Sequence, residues 1–277
     1  MGVVNVTPDS FSDGGAHYAP HKAIDHAAAL LEAGADVLDI GGESSRPGAS
    51  PVPVEEEWKR VQPIAREFGS QRDVLLSIDT VKYEVAARAL ESGFSVINDI
   101  SGLVREPRLA NLAAESGAGL ILMHMRGDPG TMQSQTHYND LIGEIRAFLE
   151  KQTALAIEQG VGQRQIAWDP GIGFSKTAEQ NLTLLKYQQQ LNPEYRPLLA
   201  GVSRKSFLGK ITGNDVSERL ISTAAAVAIS AYQGAHIVRV HDVREMREVV
   251  DVAAAIQEET CSPRLPEIVP LDAHAKP

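Results

Sequence analysis

Val74-Leu75-Leu76-Ser77-Ile78-Asp79-Thr80, a helical pattern from Lys82 to Ser92 stopped at Gly93, then Ser95-Val96-Ile97-Asn98-Asp99: this stretch decides the fold. Both short runs are nearly continuous in apolar and β-branched residues, as strands buried on two faces must be. Gly93 supplies the left-handed cap that a short helix-to-strand turn needs. The stretch therefore reads as one strand–helix–strand unit of a parallel sheet.

The same grammar runs outward in both directions. Upstream lie Val3-Val4-Asn5-Val6 and Asp36-Val37-Leu38-Asp39-Ile40, with a helical pattern from His21 to Ala33 ending at Gly34. Downstream lie Gly119 to Met123, Gln165 to Trp168, Leu198 to Val202 and His236 to Val240. Helical patterns over Tyr138 to Gln159 and Ser217 to Gln233 stop at Gly160 and Gly234. Eight units fit between residue 2 and about residue 257, about 32 residues each, which predicts a single closed (β/α)8 TIM barrel of the α/β class. A doubly wound open sheet is the alternative, but no GxGxxG follows the first strand. Residues 1–257 are thus expected to form one catalytic barrel. Residues 258–277, with Pro263, Pro266, Pro270 and Pro277 and no periodicity, are expected to form a flexible tail.

The chain has 277 residues, 26 Lys and Arg against 36 Asp and Glu, and a net charge of −10. That argues against a nucleic-acid binder, whose surface is usually basic. The single cysteine, Cys261, excludes an internal disulfide and fits a reducing cytosol. Met1 to Phe11 lack the basic start of a signal peptide, and the most apolar stretch, Ala224 to Tyr232, is too short to cross a membrane. The expectation is a cytoplasmic protein with neither membrane nor nucleic-acid partner.

In such a barrel the active site lies at the C-terminal ends of the strands. Those positions hold Asn5, Gly41 to Gly48, Asp79, Asn98, Met123-His124, Asp169 to Phe174, Ser203-Arg204-Lys205 and Arg239 to His241. Asp79, Asn98 and Asp169 converge on the mouth, where paired carboxylates and an amide suit a flat heterocycle with parallel N–H groups. Arg46, Arg204 or Lys205, Arg239 and His241 form a cationic set suited to a phosphate or diphosphate and a carboxylate. No HExxH, P-loop or nucleophile elbow is present. Mg2+ arriving with a diphosphate needs only one or two protein oxygens, which Asn5 or a nearby loop aspartate could supply. Other residues read as structural. Asp99 and Asp242 suit helix caps, His124 a strand-end histidine, and Trp58 and Trp168 packing; Asp9 and Asp13 either shape the first loop or serve the site.

The segments Asn5 to Gly15, Gly41 to Ala49, Ser77 to Thr80, Ile97 to Ile100, Leu122 to Met125, Asp169 to Phe174, Gly201 to Ser206 and Arg239 to His241 resemble, in order, those of the dihydropteroate synthase family. That family joins 6-hydroxymethyl-7,8-dihydropterin diphosphate to p-aminobenzoate, releases diphosphate, and is blocked by sulfonamides. The resemblance implies that Asp79, Asn98, Asp169 and Lys205 hold the pterin, with Ile100 and Met123 lining its slot. It implies that Ser45, Arg46, Pro47, Phe174, Ser203 and Lys205 border p-aminobenzoate. Asn5 would bind Mg2+ and diphosphate, with Arg46, Arg239 and His241 also on the diphosphate. Lys205, Asp79, Arg239 and His241 would be the catalytic set, and the assembly a homodimer.

Three departures stand out. Ser45 replaces the family's usual Thr, Tyr83 replaces a common Pro, and Met1-Gly2 aligns inside the relatives, an expectation of a clipped start. Three rival readings carry their own tests. A methyltetrahydrofolate methyltransferase domain would release no diphosphate. A non-catalytic paralogue would fail to complement a synthase-deficient strain. A Schiff-base aldolase using Lys205 would be trapped by borohydride.

Overall fold

In the computed structural model the described residues are 1–7, 19–46, 48–191 and 196–260. Strands β1 (Gly2–Asn5), β2 (Val37–Gly41), β3 (Leu75–Asp79), β4 (Val96–Asp99), β5 (Gly119–Met123) and β6 (Ile166–Asp169) pair in sequence order, all parallel. Strands β7 (Leu199–Ala200) and β8 (Ile237–Val238) pair with each other. Single bridges, Trp168 to Leu198 and Gly2 to Val240, join the two sheets at both edges and close the barrel. The closing bonds run from Val3 N–H to Val240 O and from Val240 N–H to Met1 O, both at 3.0 Å.

Each strand leads into helix on the outside. These are α1 (Ala19–Glu32), α2 (Val54–Phe68), α3 (Tyr83–Glu91), α4 (Arg108–Ser116), α5 (Leu141–Glu158), α6 (Ala178–Lys186) with α7 (Gln188–Leu191), α8 (Ser206–Thr212) with α9 (Leu220–Tyr232), and α10 (Val243–Glu258). The four glycine stops read from the sequence carry φ of 94°, 102°, 98° and 88° at Gly34, Gly93, Gly160 and Gly234. There the backbone adopts the conformation that residues with a Cβ avoid.

Strands 7 and 8 are shorter than expected from the runs Leu198 to Val202 and His236 to Val240. His236 and Ile237 N–H both donate to Leu198 O, at 2.8 and 3.1 Å. Two donors on one carbonyl interrupt the ladder, as a bulge does.

Alternation along the strands sorts the side chains. Val4, Leu38, Ile40, Leu76, Ile78, Ile97, Leu120, Leu122, Ile166 and Trp168 face the helices in the main core. Met1, Ile121, Ala167 and Leu199, with Val37, Val96 and Ile237, plug the lower barrel. Above that plug the inward positions include the polar Asp39, Ser77, Asp79, Asn98 and Asp169 and the apolar Met123. Trp168 and Trp58 are packing residues, as expected: Trp168 Nε1 donates to Thr153 Oγ1 at 2.8 Å inside the core, and Trp58 packs half-buried against it. Asp9, Asp13, Pro47 and residues 261–277 lie outside the described residues.

Candidate active site

Register places the rim. Asn5 pairs with Gly41, Gly41 with Asp79, Asp79 with Asn98, and Met123 with Asp169. A row of functional side chains thus follows from strand pairing and the two-residue period. Asp79, Asn98 and Asp169 are all buried at the mouth.

Arg239, projecting from the end of β8, crosses the barrel. Its Nε donates to Asp39 Oδ2 at 2.6 Å and its second terminal nitrogen to Asp79 Oδ2 at 2.8 Å. Asn98 Nδ2 donates to the same Asp39 oxygen at 3.0 Å. Asp39 is fully buried, and its Oδ1 has no hydrogen-bond partner among the described residues. In the sequence Asp39 is hidden inside the largely apolar run Asp36 to Ile40. A carboxylate two residues before Gly41, on the inward parity, was the available signal.

Burial pushes the Asp79 carboxyl up to about 7; Arg239 pulls it back, while Asp39, Glu57 and Asp99 push it higher. Burial also raises Asp169, against the Gly171 N–H that its Oδ1 accepts at 2.7 Å. Lys205 is lowered to about 8 by burial, with Asp169 holding it up. Its ammonium sits 4.2 Å from the Phe174 ring centroid. Gly173 beneath it has φ of 87°, and a Cβ there would stand 2.9 Å from Lys205 Cδ. Met123, Met125 and Met132 cluster with Ile100 and Phe174 into an apolar wall beside these groups.

Two members of the expected cationic set differ. His241 is lowered to about 4 by burial, then by Arg239 and Arg204, so it is neutral at pH 7. Ser203 Oγ accepts the His241 backbone N–H at 3.2 Å and lies 2.9 Å from its Nδ1. The hydroxyl and Nδ1 thus share one hydrogen bond, whose donor depends on the ring tautomer. Ser203 itself is buried in this pairing. Arg204, at φ 56°, turns away from the mouth and forks onto Asp242 at 3.0 and 2.5 Å. Asp242 accordingly makes no side-chain cap bond to α10, contrary to the cap reading. Asp99 does serve its turn, accepting Ser101 N–H at 2.8 Å and Leu103 N–H at 2.6 Å.

Ser45 is half-buried and Arg46 exposed on the loop after β2. His124 is buried and structural, as expected. Its Nδ1 lies 3.1 Å from Lys176 Nζ, and burial lowers it to about 2. Lys176, which nothing in the sequence marked, also donates to Gly171 O at 3.0 Å and Phe174 O at 2.9 Å, bracing the loop after β6.

Among the described residues no three His, Cys, Asp or Glu side chains gather as a metal cage. Asn5 Oδ1 and Asp79 Oδ2 flank Gly41, each 3.7 Å from where a Cβ on that glycine would stand. One amide oxygen in such a cradle suits Mg2+ carried on a diphosphate, since that ion keeps its phosphate and water ligands.

The chain is thus a (β/α)8 barrel whose mouth joins buried carboxylates, an amide and a crossing arginine. The sequence profile of the pterin binding enzymes matches residues 1–241. The dihydropteroate synthase of Synechocystis is 49% identical over 257 residues, covering 92% of this chain and 89% of that protein. The structure of Xanthomonas albilineans dihydropteroate synthase with 4-aminobenzoic acid superposes with a TM-score of 0.86 at 41% identity, covering 93% and 92% of the two chains. That of Yersinia pestis dihydropteroate synthase with a sulfonamide gives 0.87 at 41%, covering 93% and 94%. The chain belongs to the dihydropteroate synthase family of pterin binding enzymes.

Proposed function

We infer that this protein condenses 6-hydroxymethyl-7,8-dihydropterin diphosphate with p-aminobenzoate to give 7,8-dihydropteroate and diphosphate. The carrying observation is the array of Asp79, Asn98, Asp39 and Arg239 across the barrel mouth. Asp169, Asn98 and Asp79 hold the pterin N–H groups, and Ile100 and Met123 wall its slot. Lys205 lies between the pterin and p-aminobenzoate positions, against Phe174. Arg239, Arg46 and His241 meet the diphosphate.

The methylene C–O bond breaks and its electron pair leaves on the diphosphate. The carboxylates beside the ring favour the cation that remains. The neutral arylamine then attacks the methylene carbon and loses a proton, so no Ser–His or Cys–His nucleophile is required. Mg2+ held at Asn5 would supply charge stabilisation to the leaving diphosphate. The loop after β2, with Ser45, Arg46 and Pro47, borders p-aminobenzoate, where sulfonamides compete.

The reading extends to the setting. No helix among the described residues is long and apolar enough to cross a membrane, and one cysteine suits the cytoplasm. Exposed Ile221, Ile229 and Tyr232 on α9 and Val252 and Ile256 on α10 form an apolar stripe on two packed helices. A second copy of this chain covers it. Sedimentation as a monomer at micromolar concentration would remove that assignment.

Diphosphate release is the decisive assay. It should require both substrates and Mg2+, and collapse in Lys205→Ala and Asp169→Ala. An unchanged rate in either variant sinks the site assignment.

A further inference from the structure

The loop after β2 carries residues expected at the second substrate, and its base is closed by charges that the mechanism does not use. Glu43 Oε2 accepts Val52 N–H at 2.7 Å, drawing the two ends of the loop together. The same oxygen accepts from Lys82 Nζ at 2.5 Å. Lys82 Nζ also donates to Glu57 Oε2, on the first turn of α2. Glu57 is 1% exposed, and its other oxygen accepts Thr80 Oγ1–H at 2.6 Å. Thr80 directly follows Asp79 and also accepts the Lys82 backbone N–H at 3.2 Å. Gly42 is wedged here, since a Cβ would stand 2.8 Å from Glu57 O.

The tip is held far less firmly. Among the described residues its hydrogen bonds are Arg46 N–H to Ser44 Oγ at 3.3 Å, Ala49 N–H to Arg46 O at 3.1 Å and Gly48 N–H to Pro129 O at 3.3 Å. The orientation of the tip is therefore set at its base. One ammonium between two carboxylates, one of them fully buried, forms a junction that fails if the cation is removed. It also links this loop, through Thr80, to the strand end that carries Asp79.

We propose that Lys82 is a positioning residue for the second substrate: by joining Glu43 to Glu57 it holds Ser45 and Arg46 over the barrel mouth. The inference rests on the reading that this loop borders p-aminobenzoate. Without the junction the loop must be ordered on binding, and that entropy falls on p-aminobenzoate. The pterin, held across the barrel by Asp169 and Asn98, does not bear it.

The test compares Glu43→Gln, Lys82→Met, Lys82→Arg and Arg46→Ala in the full chain, with both substrates varied and pterin diphosphate affinity measured separately. Glu43→Gln leaves Lys82, Glu57 and Thr80 joined, so it decides the matter even if Lys82→Met does not fold. The expected result is a KM for p-aminobenzoate raised about tenfold in Glu43→Gln and Lys82→Met, a pterin affinity within about twofold of the parent, and recovery in Lys82→Arg. An unchanged p-aminobenzoate KM in folded Glu43→Gln overturns the proposal, as does a parallel loss of pterin affinity. Arg46→Ala separates the two levels. If it raises that KM while Glu43→Gln does not, the positioning role alone is refuted. If it leaves that KM unchanged, the reading of the loop is refuted and the proposal falls with it.

Discussion

Replacing Asp39 by Asn removes one charge from the buried Asp39–Arg239–Asp79 array while keeping its shape. Arg239 loses its 2.6 Å carboxylate partner but keeps Asp79 at 2.8 Å. Breaking one side of a buried ion pair costs about 3 kcal/mol. A second effect opposes it. Asp39 is among the charges that raise Asp79, so its removal lowers the Asp79 pKa from about 7. A fall of about one unit returns about 1.4 kcal/mol wherever Asp79 is ionised in the folded protein. The sign follows from linkage. A carboxyl raised from 3.8 to about 7 binds its proton more tightly when folded, so its contribution is fully present below the unfolded pKa and lost as pH rises towards about 7. The relief in Asp39→Asn therefore exists above about pH 7 and is absent near pH 5. Denaturant unfolding should show a loss of about 3 kcal/mol near pH 5 and about 1.5 kcal/mol near pH 8. At about 2–4 °C per kcal/mol the acid-side loss reads as a fall in Tm of roughly 6–12 °C. The acid limb of kcat/KM for the pterin substrate should move down by about one pH unit. An equal loss at both pH values, or a larger one at pH 8, would refute the reasoning.

Three further outcomes are expected. Ser203→Ala removes the partner of His241 Nδ1, so nitrogen NMR should show a changed tautomer ratio and the KM for pterin diphosphate should rise about fivefold; a ratio the same as in the parent would contradict this. Because His241 is lowered to about 4, the ratio of parent to His241→Gln activity should stay flat between about pH 5.5 and about pH 8, and a break near 6.5 would show a cationic ring instead. Gly173→Ala, at φ 87° and against Lys205, should cost about 1–2 kcal/mol and lower kcat/KM, whereas Asp140→Ala, which removes the cap bond to Gly143 N–H at 3.0 Å, should cost about 1 kcal/mol with kinetics unchanged; matching kinetic losses in both would remove the special role of Gly173.

The sequence carried the fold because its periodicities are local. Apolar runs of strand length, amphipathic stretches and glycine stops at 34, 93, 160 and 234 each report on a few neighbouring residues, and eight repeats leave few ways to close. It also placed Asn5, Asp79, Asn98 and Asp169, because a strand end and its two-residue parity are readable one strand at a time. Direction and charge were not readable. Arg204 and Lys205 are adjacent, yet the left-handed backbone at Arg204 sends it to Asp242 while Lys205 lies against Phe174. His241 is titratable in sequence and neutral in its buried setting. Asp39 and Arg239 are 200 residues apart and meet only because β8 returns to β1. Lys82 lies next to the motif that holds Asp79, but its two carboxylates come from a loop and a helix brought in by packing. Local patterns thus determined which residues face the barrel mouth. Closure of the barrel decided which charges touch, because an ion pair is set by distance in space and not by distance along the chain.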